Sequence, residues 1–210
     1  MARGPFSAIV LAGGRSARMG RAKSTLRFGG ITLIERIVAE LRRVAEDIVV
    51  VTAPQADAIA LPRLATARIV RDEIAYQGPV GALVRGLREA SHDTAFACSC
   101  DLPMLRAEVG SWIVSLLSES SAYDAAIAQI GGKLQPLHAA YRRRCGDALD
   151  AMLKRGERRL SFVGEAANVR LSSENEYRLI DPRGLSCFNI NTPEDYARAL
   201  ELAGITEEGS

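Results

Sequence analysis

The chain is poor in the residues that most often carry covalent or metal chemistry. It has two histidines, His92 and His138, and four cysteines, none in a C-x-x-C spacing. That argues against a zinc site or a disulfide framework. No Ser-His-Asp or Cys-His arrangement can be read, so no covalent nucleophile is expected. No apolar run approaches the roughly 18 residues of a membrane span, and no membrane partner is expected. Only Met1–Phe6 precede the first apolar run, which leaves no room for a signal peptide, so the expected location is the cytoplasm. A net charge of +2 over 210 residues is too small for the broad basic patch of a nucleic-acid binder. Repeats, low-complexity tracts and linkers are also missing. Residues 1–204 are therefore expected to form one domain, with 205–210 as a frayed tail.

Acids are missing from one place in particular. The first carboxylate is Glu35, so residues 1–34 carry six cations and no anion. Unpaired cations at one spot repel unless an anion occupies it. The organising stretch is Ser7–Ser24, where Ala8-Ile9-Val10-Leu11-Ala12 stops at Gly13-Gly14. Arg15, Arg18, Arg21 and Lys23 follow at once. A short unbroken apolar run reads as a strand buried on both faces, as in a parallel sheet. Two glycines at its end let backbone N–H groups approach a ligand closely. Neither the P-loop spacing nor G-x-G-x-x-G is present. The loop is read as a site for a nucleoside triphosphate, with a solvated basic loop as the plain alternative.

The hydrophobic content of 48% and charged content of 25% are those of an ordinary globular chain. Apolar spacing predicts a helix over 33–45, started by a Thr32/Glu35 capping box. Strands are predicted at 26–28, 48–51, 68–70 and 94–100, with helices from Gly78 and over 107–118. A strand over 124–129, a Gly131-Gly132 turn and a returning strand over 137–141 predict that part of the sheet is antiparallel. A helix over 145–154 is followed by a break at Gly156-Glu157-Arg158-Arg159 and a short helix over 160–163. Weak strands are predicted at 168–171, 178–180 and 187–190, before a final helix capped by Thr192 with Pro193 at its first position. The class is α/β, a Rossmann-like three-layer αβα arrangement on a mostly parallel sheet.

Ligands of an open α/β sheet bind beyond the carboxyl ends of its strands. Those ends carry Gly13-Gly14, Thr52, Asp72, Asp101 and Asn189/Asn191. Asp101, directly after a buried strand and before Leu102-Pro103, suits a magnesium ion that completes its shell with water and phosphate oxygens. The same carboxylate suits an N-cap for the helix after Pro103. Asp72 is read either as a base or ribose acceptor or as a cap of the turn before Gly78. Cys98 and Cys100, two apart on a strand, read as core residues rather than the start of a metal site. His138 on the returning strand reads as a packing residue before a base or ligand.

The stretch Leu11-Ala-Gly-Gly-Arg-Ser-Ala-Arg-Met-Gly-Arg-Ala-Lys23 resembles the L-A-G-G-x-S-x-R-M-G-x-x-K element of nucleotidyltransferases. With Gly78-Pro79-Val80-Gly81, Cys100-Asp101-Leu102-Pro103, Gly156-Glu157-Arg158-Arg159 and Asn189-Ile190-Asn191-Thr192-Pro193-Glu194, the chain resembles MobA-type molybdenum cofactor guanylyltransferases almost end to end. The resemblance implies transfer of GMP from GTP to the terminal phosphate of molybdenum-molybdopterin, with release of pyrophosphate. It implies that Leu11, Ala12, Gly13, Gly14, Lys23, Thr52, Asp72 and Asp101 contact GTP, and that Asp101 holds Mg2+, with Mn2+ as the alternative ion. Arg18, Lys23 and Asp101 would be the catalytic set. Gly78, Pro79, Asn189 and Asn191 would lie on the molybdopterin side. The family often has Asn where this chain has Thr52, which loses the paired donor and acceptor of an amide. The implied partners are the two substrates, then a molybdoenzyme or its chaperone that receives the product. Rival readings are the same fold acting with CTP or on a sugar phosphate, and a nucleotide-binding module without chemistry.

Overall fold

A computed structural model of the protein describes residues 4–13, 26–53, 64, 66–72 and 78–206. The sequence's first buried run forms β1 (Ser7–Leu11), every residue of which is buried. It lies inside a seven-stranded sheet with β4 (Asp47–Thr52), β5 (Arg68–Arg71), β6 (Thr94–Ser99), β7 (Ala125–Ile130), β8 (Lys133–Arg142) and β9 (Val169–Ser172). The order across the sheet is β5-β4-β1-β6-β8-β7-β9. A separate antiparallel hairpin is made by β2 (Arg27–Phe28) and β3 (Ile31–Thr32). Within the large sheet β8 alone runs against its neighbours β6 and β7, so the mixed sheet expected from the Gly131-Gly132 turn is present. Both glycines of that turn have positive φ, 56° and 72°, a region costly for other residues.

The period of two along each strand sorts the core into two layers. Ala8 and Val10 of β1, Ile48 and Val50 of β4, and Phe96 and Cys98 of β6 face one side. There they meet α1 (Leu33–Leu41), α3 (Ala107–Leu116) and Tyr177 of α5 (Glu174–Ile180). Ile9, Leu11, Val49, Val51, Ala95 and Ala97 face the other side, against α2 (Gly78–Glu89) and α4 (Cys145–Lys154). A third cluster joins the β2–β3 hairpin to α6 (Pro193–Ala203) through Phe28, Leu33, Ile190 and Ala199. Ile205, expected in a frayed tail, packs on this cluster, and its N–H donates to the Leu200 carbonyl at 2.9 Å beyond a left-handed Gly204.

The chain order creates a switch point at β1. The chain leaves β1 through α1 to β4 on one side, then returns through α2 to β6 on the other. The connections β1–α1–β4 and β6–α3–β7 pass over the same face in opposite directions across the sheet, so they have opposite hands. With the usual right hand at the first, the second is a left-handed crossover. It brings the segment after β6 back beneath α1. Arg36 of α1 donates to the Pro103 carbonyl at 2.6 Å, and Glu40 accepts the Ala107 N–H at 2.8 Å.

Three local expectations are corrected. Residues 178–180 belong to α5, whose start is a Ser173/Glu176 capping box with both reciprocal hydrogen bonds, not to a strand. Residues 187–190 form no strand: a 3-10 turn over Leu185–Cys187 leads into an irregular segment whose apolar side chains pack against α6 and the hairpin. The returning strand is longer than expected and carries a bulge, since Ala139 pairs with Ile127 whereas Leu134 pairs with Gln129. The Thr32/Glu35 capping box is formed as read, and Thr192, read as a simple cap, shares a reciprocal box with Asp195.

Candidate active site

The register of four parallel strands gathers the candidate residues along one edge. Leu11 pairs with Val51 of β4 and with Ser99 of β6, and Thr52 pairs with Arg71 of β5. One or two residues further on, Asp72, Ala53, Gly13 and Asp101 follow one another across the strand ends. The ladder is tight here. Ala12 N–H donates to the Val51 carbonyl at 2.8 Å, Cys100 N–H to the Leu11 carbonyl at 3.1 Å, and Asp72 N–H to the Thr52 carbonyl at 2.8 Å. Asp72 and Asp101 are thus three strand spacings apart, roughly 14 Å, with the end of β1 between them. Gly13 is required by close approach, since a Cβ there would stand 3.0 Å from the Ala53 nitrogen. Gly14, Arg18 and Lys23 lie outside the described residues.

Asp101 is buried, at 8% exposure, and its surroundings decide one of its two readings. The helix after Pro103 starts at Ala107 with Arg106 at the N-cap, and its leading N–H groups go to Glu40 and Ser186. Asp101 is therefore not its cap. Its Oδ1 accepts instead from the Ser99 hydroxyl and, at 3.3 Å, from the Asn189 side-chain amide. The Asp101 carbonyl accepts the Ile190 N–H at 2.9 Å. The Asn189–Asn191 stretch is thus joined to the end of β6 by both side chain and backbone, although 88 residues separate Asn189 from Asp101. Asn191 N–H donates to Asp195 at 2.9 Å, beside the Thr192 capping box. Among the described residues no three His, Cys, Asp or Glu side chains gather as a metal cage. One buried carboxylate is the donor set that magnesium uses when phosphate oxygens and water complete its shell, so Asp101 fits such an ion.

The other candidates have definite places. Thr52 is buried and its hydroxyl donates to the Val70 carbonyl at 3.3 Å, so its donor is spent on tying β4 to β5. Gly78 opens α2 with φ 68°, and a Cβ there would stand 3.1 Å from the Arg158 carbonyl oxygen. Gly78-Pro79 therefore abuts the Gly156–Arg159 break. That break folds about Glu157, whose carboxylate accepts the N–H groups of Arg158 and Arg159 at 2.9 and 2.8 Å. The Arg159 guanidinium, hydrogen-bonded to it, holds the Glu157 pKa down to about 2.

Two sulfur and imidazole candidates belong to the core. Cys98 and Cys100 are buried in the α1/α3 layer, and burial pushes the Cys98 thiol well above its ordinary range. His138 is buried opposite Cys98 with Nε2 3.0 Å from the Tyr177 hydroxyl, and burial lowers its pKa to about 3. It is a packing residue. Sequence reasoning missed Ser99 and Glu40. Ser99 was legible in principle, because it is the last residue of β6 and stands two residues before Asp101. Glu40 reaches α3 only through the crossover of β6–α3–β7, which no local pattern announces.

Residues 8–169 match the family model described as MobA-like NTP transferase domain. A probable molybdenum cofactor guanylyltransferase of Mycolicibacterium paratuberculosis is 36% identical over 203 residues, which cover 94% of this chain and 96% of that one. The molybdenum cofactor guanylyltransferase of Desulfosudis oleivorans is 30% identical over 192 residues, covering 91% and 92%. The crystal structure of molybdopterin-guanine dinucleotide biosynthesis protein A from Archaeoglobus fulgidus superposes with a TM-score of 0.82 at 26% identity, covering 94% of this chain and 98% of that one. Among the described residues no helix is long and apolar enough to cross a membrane.

Proposed function

We propose that this chain, which belongs to the MobA-like NTP transferase family, transfers GMP from GTP to the terminal phosphate of molybdenum-molybdopterin. The products are molybdopterin guanine dinucleotide and pyrophosphate. The observation that carries the reading is the meeting of Gly13 and the buried Asp101 at the switch point of the sheet, in a chain whose relatives over nearly full length are named guanylyltransferases.

In this reading GTP lies across the ends of β5, β4, β1 and β6. Asp72 accepts from base or ribose, and the phosphates pass Gly13 toward Asp101. Leu11, Ala12, Gly13 and Gly14 supply backbone, and Arg18 and Lys23 neutralise phosphate charge. Thr52, with its hydroxyl committed to Val70, contributes shape and its remaining acceptor capacity. Asp101 would hold a magnesium ion, with manganese as the substitute, and when bound the ion would neutralise charge on the phosphates. Molybdopterin enters between Gly78-Pro79 and Asn189/Asn191, and its phosphate oxygen attacks the α-phosphorus in line as pyrophosphate leaves. The chain's own work is positioning and electrostatic stabilisation, since this chemistry needs little covalent help. No covalent enzyme intermediate is involved. The expected location is the cytoplasm, with the product passed to a molybdoenzyme or its chaperone.

The test is pyrophosphate release from GTP, CTP, ATP and UTP with and without molybdopterin. Release from GTP that depends on molybdopterin supports the proposal. Preference for CTP, or turnover with a sugar phosphate in place of molybdopterin, assigns the fold to another substrate. Nucleotide binding without release under any condition makes it a binding module.

A further inference from the structure

Asp101 does not stand alone at the end of β6. Ser99, the last residue of β6, lies two residues back, buried at 9% exposure, and its hydroxyl donates to Asp101 Oδ1. Asn189 comes from the segment before α6, and its amide donates to that same oxygen at 3.3 Å. The two donors sit on elements that are themselves fixed. Ser99 is held in register opposite Leu11 of β1. Asn189 is held by its neighbour Ile190, fully buried in the α6–hairpin cluster and bonded through its N–H to the Asp101 carbonyl. The turn beyond Asp101 is held in turn by Arg36 on the Pro103 carbonyl. A carboxylate on a flexible rotor loses conformational freedom when it takes an ion, whereas one already pinned by two donors loses little.

We infer that Ser99 and Asn189 are positioning residues that hold the Asp101 carboxylate in one orientation for a divalent cation before the cation arrives. This rests on the metal-binding reading of Asp101 given above, and it adds a duty to Asn189 distinct from contact with the acceptor. A hydrogen bond to a charged carboxylate is worth enough that loss of either donor should weaken cation binding roughly tenfold. The effect appears without any acceptor present, because the contact is to Asp101.

The experiment is calorimetric titration of Mn2+ into GTP-loaded protein without molybdopterin, corrected for Mn2+ binding to GTP alone. The variants are Ser99→Ala, Ser99→Thr, Asn189→Ala and Asp101→Ala, each first shown to melt cooperatively. Should Ser99→Ala fail to fold, Asn189→Ala carries the same test from a separate segment. The expected result is loss of the protein-dependent Mn2+ site in Asp101→Ala and about tenfold weaker binding in Ser99→Ala and Asn189→Ala. Ser99→Thr, which keeps the hydroxyl, should stay within about twofold of the parent protein. Correspondingly, the Mg2+ concentration for half-maximal turnover should rise in Ser99→Ala while saturating Mg2+ restores most of the rate. Unchanged Mn2+ affinity in both Ser99→Ala and Asn189→Ala, with the site lost in Asp101→Ala, overturns the inference and leaves the metal assignment standing. Parent-like Mn2+ binding in Asp101→Ala overturns the metal assignment itself, and the inference with it.

Discussion

His138 Nε2 lies 3.0 Å from the Tyr177 hydroxyl, in the core layer between β8 and α5, with the Phe96 ring edge-on beside the imidazole. Burial holds this histidine neutral, with a pKa lowered to about 3 from an ordinary 6.5. Above pH 6.5 the folded and unfolded chains are both neutral here, and the group has no pH effect. Between 6.5 and 3 the unfolded chain takes up a proton that the folded one refuses, so stability falls as pH falls. The slope is about 1.4 kcal/mol per pH unit, or about 2 kcal/mol between pH 7 and pH 5. Urea unfolding at the two pH values should show this loss, and His138→Gln should remove most of it. Equal slopes in parent and variant would contradict the assignment.

Gly86 sits on α2 directly over β1. A Cβ at that position would lie 2.4 Å from Ile9 Cγ2, and Ile9 is fully buried in the layer beneath α2, its methyl carried on a branched Cβ with little room to turn. Helix propensity favours Ala over Gly by about 1 kcal/mol. Overpacking costs about 1–3 kcal/mol or more and should win. Gly86→Ala is expected to lower the urea midpoint, although it is a helix-favouring change.

Glu40 provides the cap that the N-terminus of α3 lacks from its own sequence, through Ala107 N–H. Glu40→Ala leaves that N–H without its partner and should cost about 1 kcal/mol, read as a lower melting temperature. Arg43 also pairs with Glu40, at 2.8 Å on the surface. Arg43→Ala should move the melting temperature far less, because exposed pairs are screened.

Gly78→Ala meets two obstacles at once, a φ of 68° and the Arg158 carbonyl oxygen 3.1 Å from the new Cβ. The left-handed region alone costs roughly 1–2 kcal/mol. The substitution should also push α2 away from the Gly156–Arg159 break. It is expected to raise the KM for molybdopterin more than that for GTP, because Gly13 and Asp101 are untouched.

Much of the sheet, and the placing of Gly13, Thr52, Asp72 and Asp101 at its strand ends, can be read from residues alone, for identifiable reasons. β1, β4 and β6 are buried on both faces, so their apolar runs are unbroken and end sharply at Gly13, Thr52 and Asp101. The Thr32 and Thr192 boxes are local signals, complete within four residues. Residues 178–180 misled because Leu179-Ile180 is a short apolar pair, while the stronger signal, Ser173 followed three residues later by Glu176, lies upstream. Residues 187–190 misled because their burial comes from α6 and the hairpin rather than from strand neighbours. The two readings of Asp101 were separable only through contacts with Glu40 and Asn189, which depend on the crossover and on the return of the chain near its end.

The proposed transfer depends above all on Asp101, at the strand end beside Gly13. The most direct measurement is the rate at which label passes from α-phosphorus-labelled GTP into molybdopterin guanine dinucleotide, compared between the parent protein and Asp101→Ala at saturating Mg2+. A fall of at least a hundredfold is expected in the folded variant if Asp101 holds the ion at the phosphates. Transfer at the parent rate would contradict it.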